Sequence, residues 1–438
     1  MAGPLKGLRI IEMGQLIAIP FAMKMLADMG AQVVRLESTQ RLESYRSDSV
    51  YKNDVSGDFW NKGANFYEQN RNKLGVTLDL SKPEGSQILR ELISVSDIFA
   101  ENFTPRVIKN FGLEYEDLRK IKPDIIMVSS TGYGFYGPWA NFGATGPATE
   151  GAAGLAYQTG YLGGQPVMSE IPYTDYTSGE HTVFAVMTAL MHRLKTGQGQ
   201  FLDISQTQAT SSTIPEVLMD FSANGRSGQR MGNQDVSMSP HGCYPCNGDD
   251  RWISIAVATD AQWQSLCRVL GQSGWVTEPR FEDSLSRWKN RDELDSLIGP
   301  VTAEWDAHKL MTALQNEGVG AGAVFDSKDF LFGTHLIERG FYEVVEHEDS
   351  TGIPPLPYAS RPWKLSKTPA VAGKSAPLMG QHNSLVLGEL LSKTTEEMSE
   401  LEKIGIIGYG PTDPRPRSEE HTSELQSLVN LVCRLLLA

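Results

Sequence analysis

Asp175 stands in the string YTDYTSGEHTVFAVMTALMHRLKTGQGQFLDISQ, residues 173–206, at the turn that leads into a helix. A carboxylate so placed can attack an activated acyl carbon, and it can equally cap or solvate the turn. Thr177 and Ser178 are the candidate caps, which puts Asp175 just outside the helix and Glu180 in its first turn. Val183, Phe184, Val186, Met187, Leu190, Met191 and Leu194 recur at three- and four-residue spacing and mark the face expected to be buried. Gly197 and Gly199 stop the helix, and Phe201 to Ser205 reads as a strand.

Two other groupings have the residue types for chemistry. GYGFYG, residues 132–137, follows a strand and matches the G-x-G-x-x-G of an NAD(P)-binding oxidoreductase. That fingerprint needs a helix next, whereas Pro138, Trp139 and ANFGATGPATEG show neither helical periodicity nor a cap. The segment therefore reads as a glycine-rich loop passing close to a ligand or another backbone. Cys243 and Cys246 form C-x-x-C with His241 nearby, but no second pair lies at zinc spacing, so strand and turn packing is expected and no metal site.

The elements around these residues alternate. Leu8 to Met13 reads as a buried strand, Pro20 to Met29 as a helix closed by Gly30, and Gln32 to Glu37 as a second strand. Gly75 to Leu80 is a third, and Ser81 with Glu84 makes a capping box for a helix through Val95. Ile98 to Glu101 and Ile125 to Ser130 continue the series. The fold class implied is α/β, a parallel sheet covered by helices, whose ligands lie beyond the C-terminal strand ends. The loops at those ends are Gly14 to Ile19, the segment after Leu80, Asn102 to Pro105, and Thr131 to Gly137. Past Gln206, residues 207–225 read as one helix. HGCYPCNGDDRWISIAVA is a hairpin, followed by a helix through Leu270 and helices near 293–298 and 306–316. A final helix is expected at 382–404.

With 438 residues and 40% hydrophobic content the chain is long enough for two or more domains with sizeable cores. A formal charge of -14 argues against nucleic acid or an anionic membrane as partner. Four Cys give no disulfide framework, and MAGPLKGLRII lacks the apolar run of a signal peptide, so a cytoplasmic protein is expected.

The string D-x-x-S-G at Asp175, followed by AL, R, TGQGQ and LDIS, resembles the core signature of the class III (CaiB/BaiF) CoA-transferases. LKGLRIIEM, Ala18, Pro20, LADMGAQVVRLE, NRNKLGVTLDL, ENFTP and SSTGYG follow that family in order, as do GVGAGAV, FGTHLIERGF and APLMGQHN. The resemblance runs to Gly408. It implies that Asp175 is the nucleophile of a CoA-transferase, taking the acyl group of an acyl-CoA as a mixed anhydride before a carboxylic acid accepts the CoA. It places coenzyme A against Ile17 and Ala18, against Leu78, Asp79, Leu80 and Ser81, and against Asn102, Phe103 and Thr104. In the formyl-CoA branch two arginines hold the nucleotide phosphates where Ser38 and Asn110 stand here, which leaves Arg41 and Lys109 as the nearest basic side chains. The amides of Tyr133 and Gly134 are candidate donors to the oxyanion. No glycine run matches the one that lies near the reacting carbonyl in that branch.

The resemblance also implies an interlocked homodimer and a large domain whose Rossmann-like sheet is built from N- and C-terminal parts. The boundaries read as 1–206 for the N-terminal part of the large domain, 207–240 for a crossing helix and linker, and 241–325 for a small α+β domain. Residues 326–416 are the return crossing and the C-terminal part. Residues 417–438, which contain RSEEHTSELQS, resemble a translated sequencing adaptor and are set aside. An α-methylacyl-CoA racemase of the same fold family would pair the Asp with an upstream His; the first His here is His181, after Asp175.

Overall fold

The structure is a computed structural model that describes residues 3–370 and 373–414; the adaptor-like segment 417–438 lies outside the described residues. The chain begins β1 Arg9–Met13, α1 Ala18–Asp28, β2 Gln32–Glu37, α2 Ala64–Asn70, β3 Leu74–Thr77, α3 Pro83–Ser94 and β4 Ile98–Glu101. It continues α4 Pro105–Asn110, α5 Tyr115–Ile121, β5 Ile126–Thr131, α6 Gly146–Ala152, α7 Leu155–Gln158, α8 Tyr173–Thr196, β6 Phe201–Ser205, α9 Gln206–Ser211 and α10 Pro215–Asn224. Two compact units emerge. One holds the residues up to Leu155, Ser169–Leu218 and the chain from Phe332 on; the other holds Ala156–Met168 and Met219–Leu331.

The first unit is organised by a six-stranded sheet in the order β3-β2-β1-β4-β5-β6, every pair parallel. Alternation along the strands sends residues to two faces. Ile10, Val33, Ile98, Ala100, Ile126 and Val128 meet Ile19, Met23 and Leu26 of α1 and Val186 and Leu190 of α8. Ile11, Val34, Val76, Phe99 and Met127 meet Ile88, Leu89 and Leu92 of α3 on the other side. Strand order reverses between β1 and β4, the switch point where ligands of doubly wound sheets bind. There Gln15 and Asn102 clasp: the Gln15 amide donates to Asn102 Oδ1 and Asn102 Nδ2 donates to the Gln15 carbonyl, each at 2.8 Å.

All six strands lie between residues 9 and 205, so the sheet is not shared between N- and C-terminal parts. The C-terminal part supplies instead the antiparallel pair β10 Tyr342–Val345 and β11 Leu356–Ala359, and helices α17 Asn383–Leu391 and α18 Thr395–Lys403 once the helices of the intervening chain are counted. Val386 and Leu387 of α17 join the α3 face. Polar bonds sew this return to edge strand β3: the Thr77 amide donates to Asn383 Oδ1 at 2.9 Å and the Asp79 amide to the Ile406 carbonyl at 2.8 Å. The helix expected over 382–404 is broken at Ser392, which has φ 56°, and Thr394 with Glu397 restarts it as a capping box.

The second unit has β7 His241–Pro245, β8 Trp252–Ala256, α11 Asp260–Val269, α12 Ser284–Lys289, α13 Arg291–Thr302, α14 Ala307–Asn316, β9 Gly320–Ala323 and α15 Ser327–Phe332, which runs to its boundary; α16, Thr334–Glu338, follows in the first unit. Its antiparallel sheet, β7-β8-β9, packs Tyr244, Ile253 and Ile255 on Trp263, Leu266, Leu294 and Leu310. Residues 156–168 belong with this unit, although spacing assigned them to the first 206 residues. The Gly232 amide donates to the Gly160 carbonyl at 2.8 Å and Arg230 donates to the Tyr157 and Gly164 carbonyls, which ties that segment down.

Three local expectations change. Ser81 and Glu84 form no capping box: α3 is capped at Lys82 without a side-chain bond, and the Ser81 hydroxyl donates to Asp79 Oδ1 at 2.6 Å. Residues 207–225 are two helices, α9 and α10, not one. No helix opens at the third glycine of GYGFYG, as expected, but α6 does begin at Gly146 inside the stretch that lacked helical signals. Pro147 at its first turn supplies a helical φ without a sequence period.

Candidate active site

Asp175 lies inside α8, in its first turn, not outside it. Thr177 and Ser178 are not caps: their hydroxyls donate back to the Tyr173 and Asp175 carbonyls at 2.7 and 3.0 Å, the alternative open to such side chains within a helix. What fixes the height of the helix is Gly179. A Cβ there would sit 2.7 Å from Phe21 Cδ1 and 3.2 Å from the Ala18 carbonyl, so only glycine lets α8 cross this close to the start of α1. Phe21 also meets Tyr176 edge-on at 4.9 Å, and Gln69 donates to the Tyr176 hydroxyl. The Thr149 and Thr174 hydroxyls, 2.7 Å apart and buried, join α6 to the start of α8.

These contacts bring the Asp175 carboxylate to the N-terminus of α1. There the Ala18 amide bonds to it, and Gln206 Nε2 donates to Oδ1 at 3.1 Å from the start of α9. Both bonds favour the ionised form, as does the positive end of a helix. Burial opposes them and wins, so the carboxyl is pushed up to about 6. No lysine, arginine or histidine among the described residues pairs with it. The side chain is thus ionised near neutrality, weakly solvated and poorly compensated, which suits a nucleophile.

Of the other expected site residues, Asn102 is clasped to Gln15, so the loop that leads to Ile17 and Ala18 meets the start of the segment Asn102 to Thr104 at the switch point. Ile17 and Ala18 are buried. Leu78 and Asp79 are buried at the end of β3, and Leu80 and Ser81 continue the turn at the sheet edge. Arg41 and Lys109 are exposed and make no ion pair among the described residues. Gly134 has φ 91°, which favours glycine, and its neighbour Phe135 donates its amide to Asp203 Oδ1 at 2.7 Å. Among the described residues the Tyr133 and Gly134 amides have no acceptor. The Cys243 thiol is pushed up by burial, and no group of His, Cys, Asp and Glu suited to a metal occurs among the described residues.

Gln206 and Glu101 carried no role in the sequence reading, and Gly146 entered it only as part of the Ala144 to Gly146 region, where a second base would be sought and only Ala, Thr and Gly stand. Gln206 ends the string LDISQ, and only its place directly after a strand hinted at it. Gly146 carries no side chain where one would lie 3.6 Å from Asp175 Oδ2. Glu101, fully buried at the end of β4, accepts from the Phe103 amide at 2.7 Å; burial pushes its carboxyl up to about 8 against the hydrogen bonds from Ser129 and Phe103.

A six-stranded parallel α/β sheet with a carboxylate set at its switch point defines the class of protein to look for among known ones. Residues 5–383 match the model of CoA-transferase family III, and the chain belongs to that family. It is an enzyme, a CoA-transferase. It is 31% identical over 389 residues to the succinate–glutarate CoA-transferase of Agrobacterium fabrum, covering 88% of this chain and 96% of that one. It is 28% identical to the succinyl-CoA–D-citramalate CoA-transferase of Chloroflexus aurantiacus, covering 92% and 98%. Among solved structures, a CaiB/BaiF family protein from Brucella suis superposes with a TM-score of 0.80 at 26% identity, over 89% of this chain and 100% of the other.

Proposed function

We propose that the protein moves CoA from an acyl-CoA to a carboxylic acid through covalent intermediates on Asp175. The observation that supports this most is the setting of that carboxylate, held by Gln206 and the Ala18 amide and ionising near 6. An Asp175 oxygen attacks the thioester carbonyl carbon, the C–S bond breaks, and CoA leaves as thiolate from a mixed anhydride. The thiolate then attacks the Asp175 carbonyl carbon, expels the donor acid as carboxylate, and leaves CoA on Asp175 as a thioester. The acceptor carboxylate displaces the thiolate from that thioester, and the thiolate takes the acceptor's acyl carbon from the new anhydride. Asp175 is regenerated, and each step exchanges one acyl bond for another, so no ATP is consumed.

In this reading Ile17, Ala18, Leu78 to Ser81 and Asn102 to Thr104 hold CoA, with Arg41 and Lys109 at its phosphates. The Tyr133 and Gly134 amides receive the oxyanion. A proton-shuttling racemase would need a second base facing Asp175, and the position beside Oδ2 is Gly146. The protein works as a cytoplasmic homodimer; no described helix is long and apolar enough to cross a membrane. Exposed apolar side chains on α8, Phe184 at 75% and Leu194 at 80%, support the dimer, although spacing had placed them on a buried face.

Asp175→Ala should abolish transfer with the fold intact, and hydroxylamine should trap the acyl group of the native enzyme on Asp175. Donor alone should exchange its CoA with labelled free CoA before any acceptor is added. Deuterium washing into the α-carbon without CoA exchange would overturn the transferase reading in favour of a racemase.

A further inference from the structure

The turn that opens α1 holds its shape against the preference of its own residues. Leu16 has φ 60°, a left-handed conformation uncommon outside Gly, Asn and Asp. The turn is also tight, since a Cβ on Gly14 would fall 2.6 Å from Ile19 Cγ2. Two residues after Leu16, the Ala18 amide bonds to the Asp175 carboxylate. Whatever keeps Leu16 in place therefore also aims that amide.

Two side chains hold the turn. Asn102 takes the Gln15 amide and carbonyl, and Glu43 Oε1 accepts from the Leu16 amide at 2.9 Å. Glu43 is held in turn, because its other oxygen accepts from Arg35 Nη2. Arg35 Nη1 donates to Glu12 Oε1 at 2.6 Å, Glu12 Oε2 pairs with Lys73 Nζ at 2.7 Å, and Lys73 donates to the Pro20 carbonyl at 2.9 Å. None of these four side chains is more than 5% exposed. Acid and base thus alternate along a buried chain whose two ends, the Leu16 amide and the Pro20 carbonyl, flank Ala18 in sequence. Buried and mutually bonded, such groups have few other geometries open to them. A glutamine at position 43 could not replace the carboxylate, since its amide has one acceptor oxygen where Leu16 and Arg35 each take one.

We propose that Glu43 is a positioning residue for the transfer reaction: by holding Leu16 in its left-handed turn it aims the Ala18 amide at Asp175 and favours the ionised nucleophile. Its consequence for rate rests on the reading of Asp175 as the nucleophile, whereas its consequence for the turn does not. Two variants test it, with folding checked by circular dichroism and thermal melts. Glu43→Gln leaves one acceptor for two donors, and Glu43→Asp keeps the charge beside Arg35 but is one methylene short of Leu16. In both, the acid limb of kcat/KM should move up by about one pH unit, a roughly tenfold loss at pH 6, with the plateau at higher pH largely kept. A general loss of packing would instead lower the plateau and leave the midpoint in place, which overturns the proposal. Hydrogen exchange followed by mass spectrometry should show the amides of residues 14–19 exchanging about tenfold faster in both variants. Adding Leu16→Gly to Glu43→Gln should bring the limb back toward 6, because glycine takes a positive φ without the bond. No return would place the effect of Glu43 outside the turn and overturn the proposal. Unchanged exchange with an unmoved limb does the same, and so does a limb that disappears in Glu43→Gln, which would make Glu43 itself the titrating group. If the native enzyme releases no CoA in an Asp175-dependent burst, the transferase reading fails, and exchange at residues 14–19 still decides whether Glu43 holds the turn.

Discussion

Burial and hydrogen bonding pull in opposite directions on the Asp175 carboxyl, and burial prevails by moving it from 3.8 to about 6. If the carboxylate is the nucleophile, as proposed, kcat/KM should rise with pH through about 6 and level off above 7. Gln206→Ala removes a bond that favours the anion; the acid limb should move to higher pH, with activity at pH 6 falling roughly tenfold. An unmoved limb would mean Gln206 serves only packing. Glu101 permits a test of stability instead of rate. Its carboxyl ionises near 8 in the fold against an ordinary 4.5, so its contribution is fully present below 4.5 and is lost as pH rises to 8. The slope across that window should approach about 1.4 kcal/mol per pH unit. Urea unfolding of Glu101→Gln should lack this slope, and an unchanged pH dependence would assign it elsewhere.

Helix α8 reaches its target because α1 lies so close beneath it at Gly179. Gly179→Ala should cost about 1–3 kcal/mol by pressing on Phe21 and the Ala18 carbonyl, and should lower activity beyond what the stability loss explains. Thermal melts and kinetics on one preparation separate the two; a neutral alanine would show that the crossing is loose. The sequence made part of this legible. Strands β1, β2 and β4 stood out because both faces of a parallel sheet are covered and their residues form short apolar runs. The string at Asp175 was readable as well, but its position within the helix was not, since Thr177 and Ser178 have the chemistry of caps and spend it on back-bonds. Phe184 and Leu194 have the right spacing for a core face and are exposed, because period reports amphipathicity and not which surface lies opposite. Gly146 and Gln206 could not be found by period at all: their roles depend on the fold closing distant segments onto one carboxylate.

For the whole molecule, the proposed homodimer predicts that α8's exposed face is covered in solution. F184E/L194E should yield a monomer by light scattering, and a dimer unaffected by both charges would move the interface elsewhere. The seam between β3 and the C-terminal return has a different kind of consequence. Thr77 and its partner Asn383 are separated by 306 residues, so the α3 face of the sheet leaves the ribosome long before Val386, Leu387, Ile406 and Ile407 exist to cover it. At about 5–20 residues per second that gap is roughly 15–60 s. Nascent chains stalled before Asn383 should be cut by protease near β3 far faster than completed ones, and equal resistance would show that the sheet closes without its return. Translation speed through the second unit therefore helps decide how many chains ever reach the folded state.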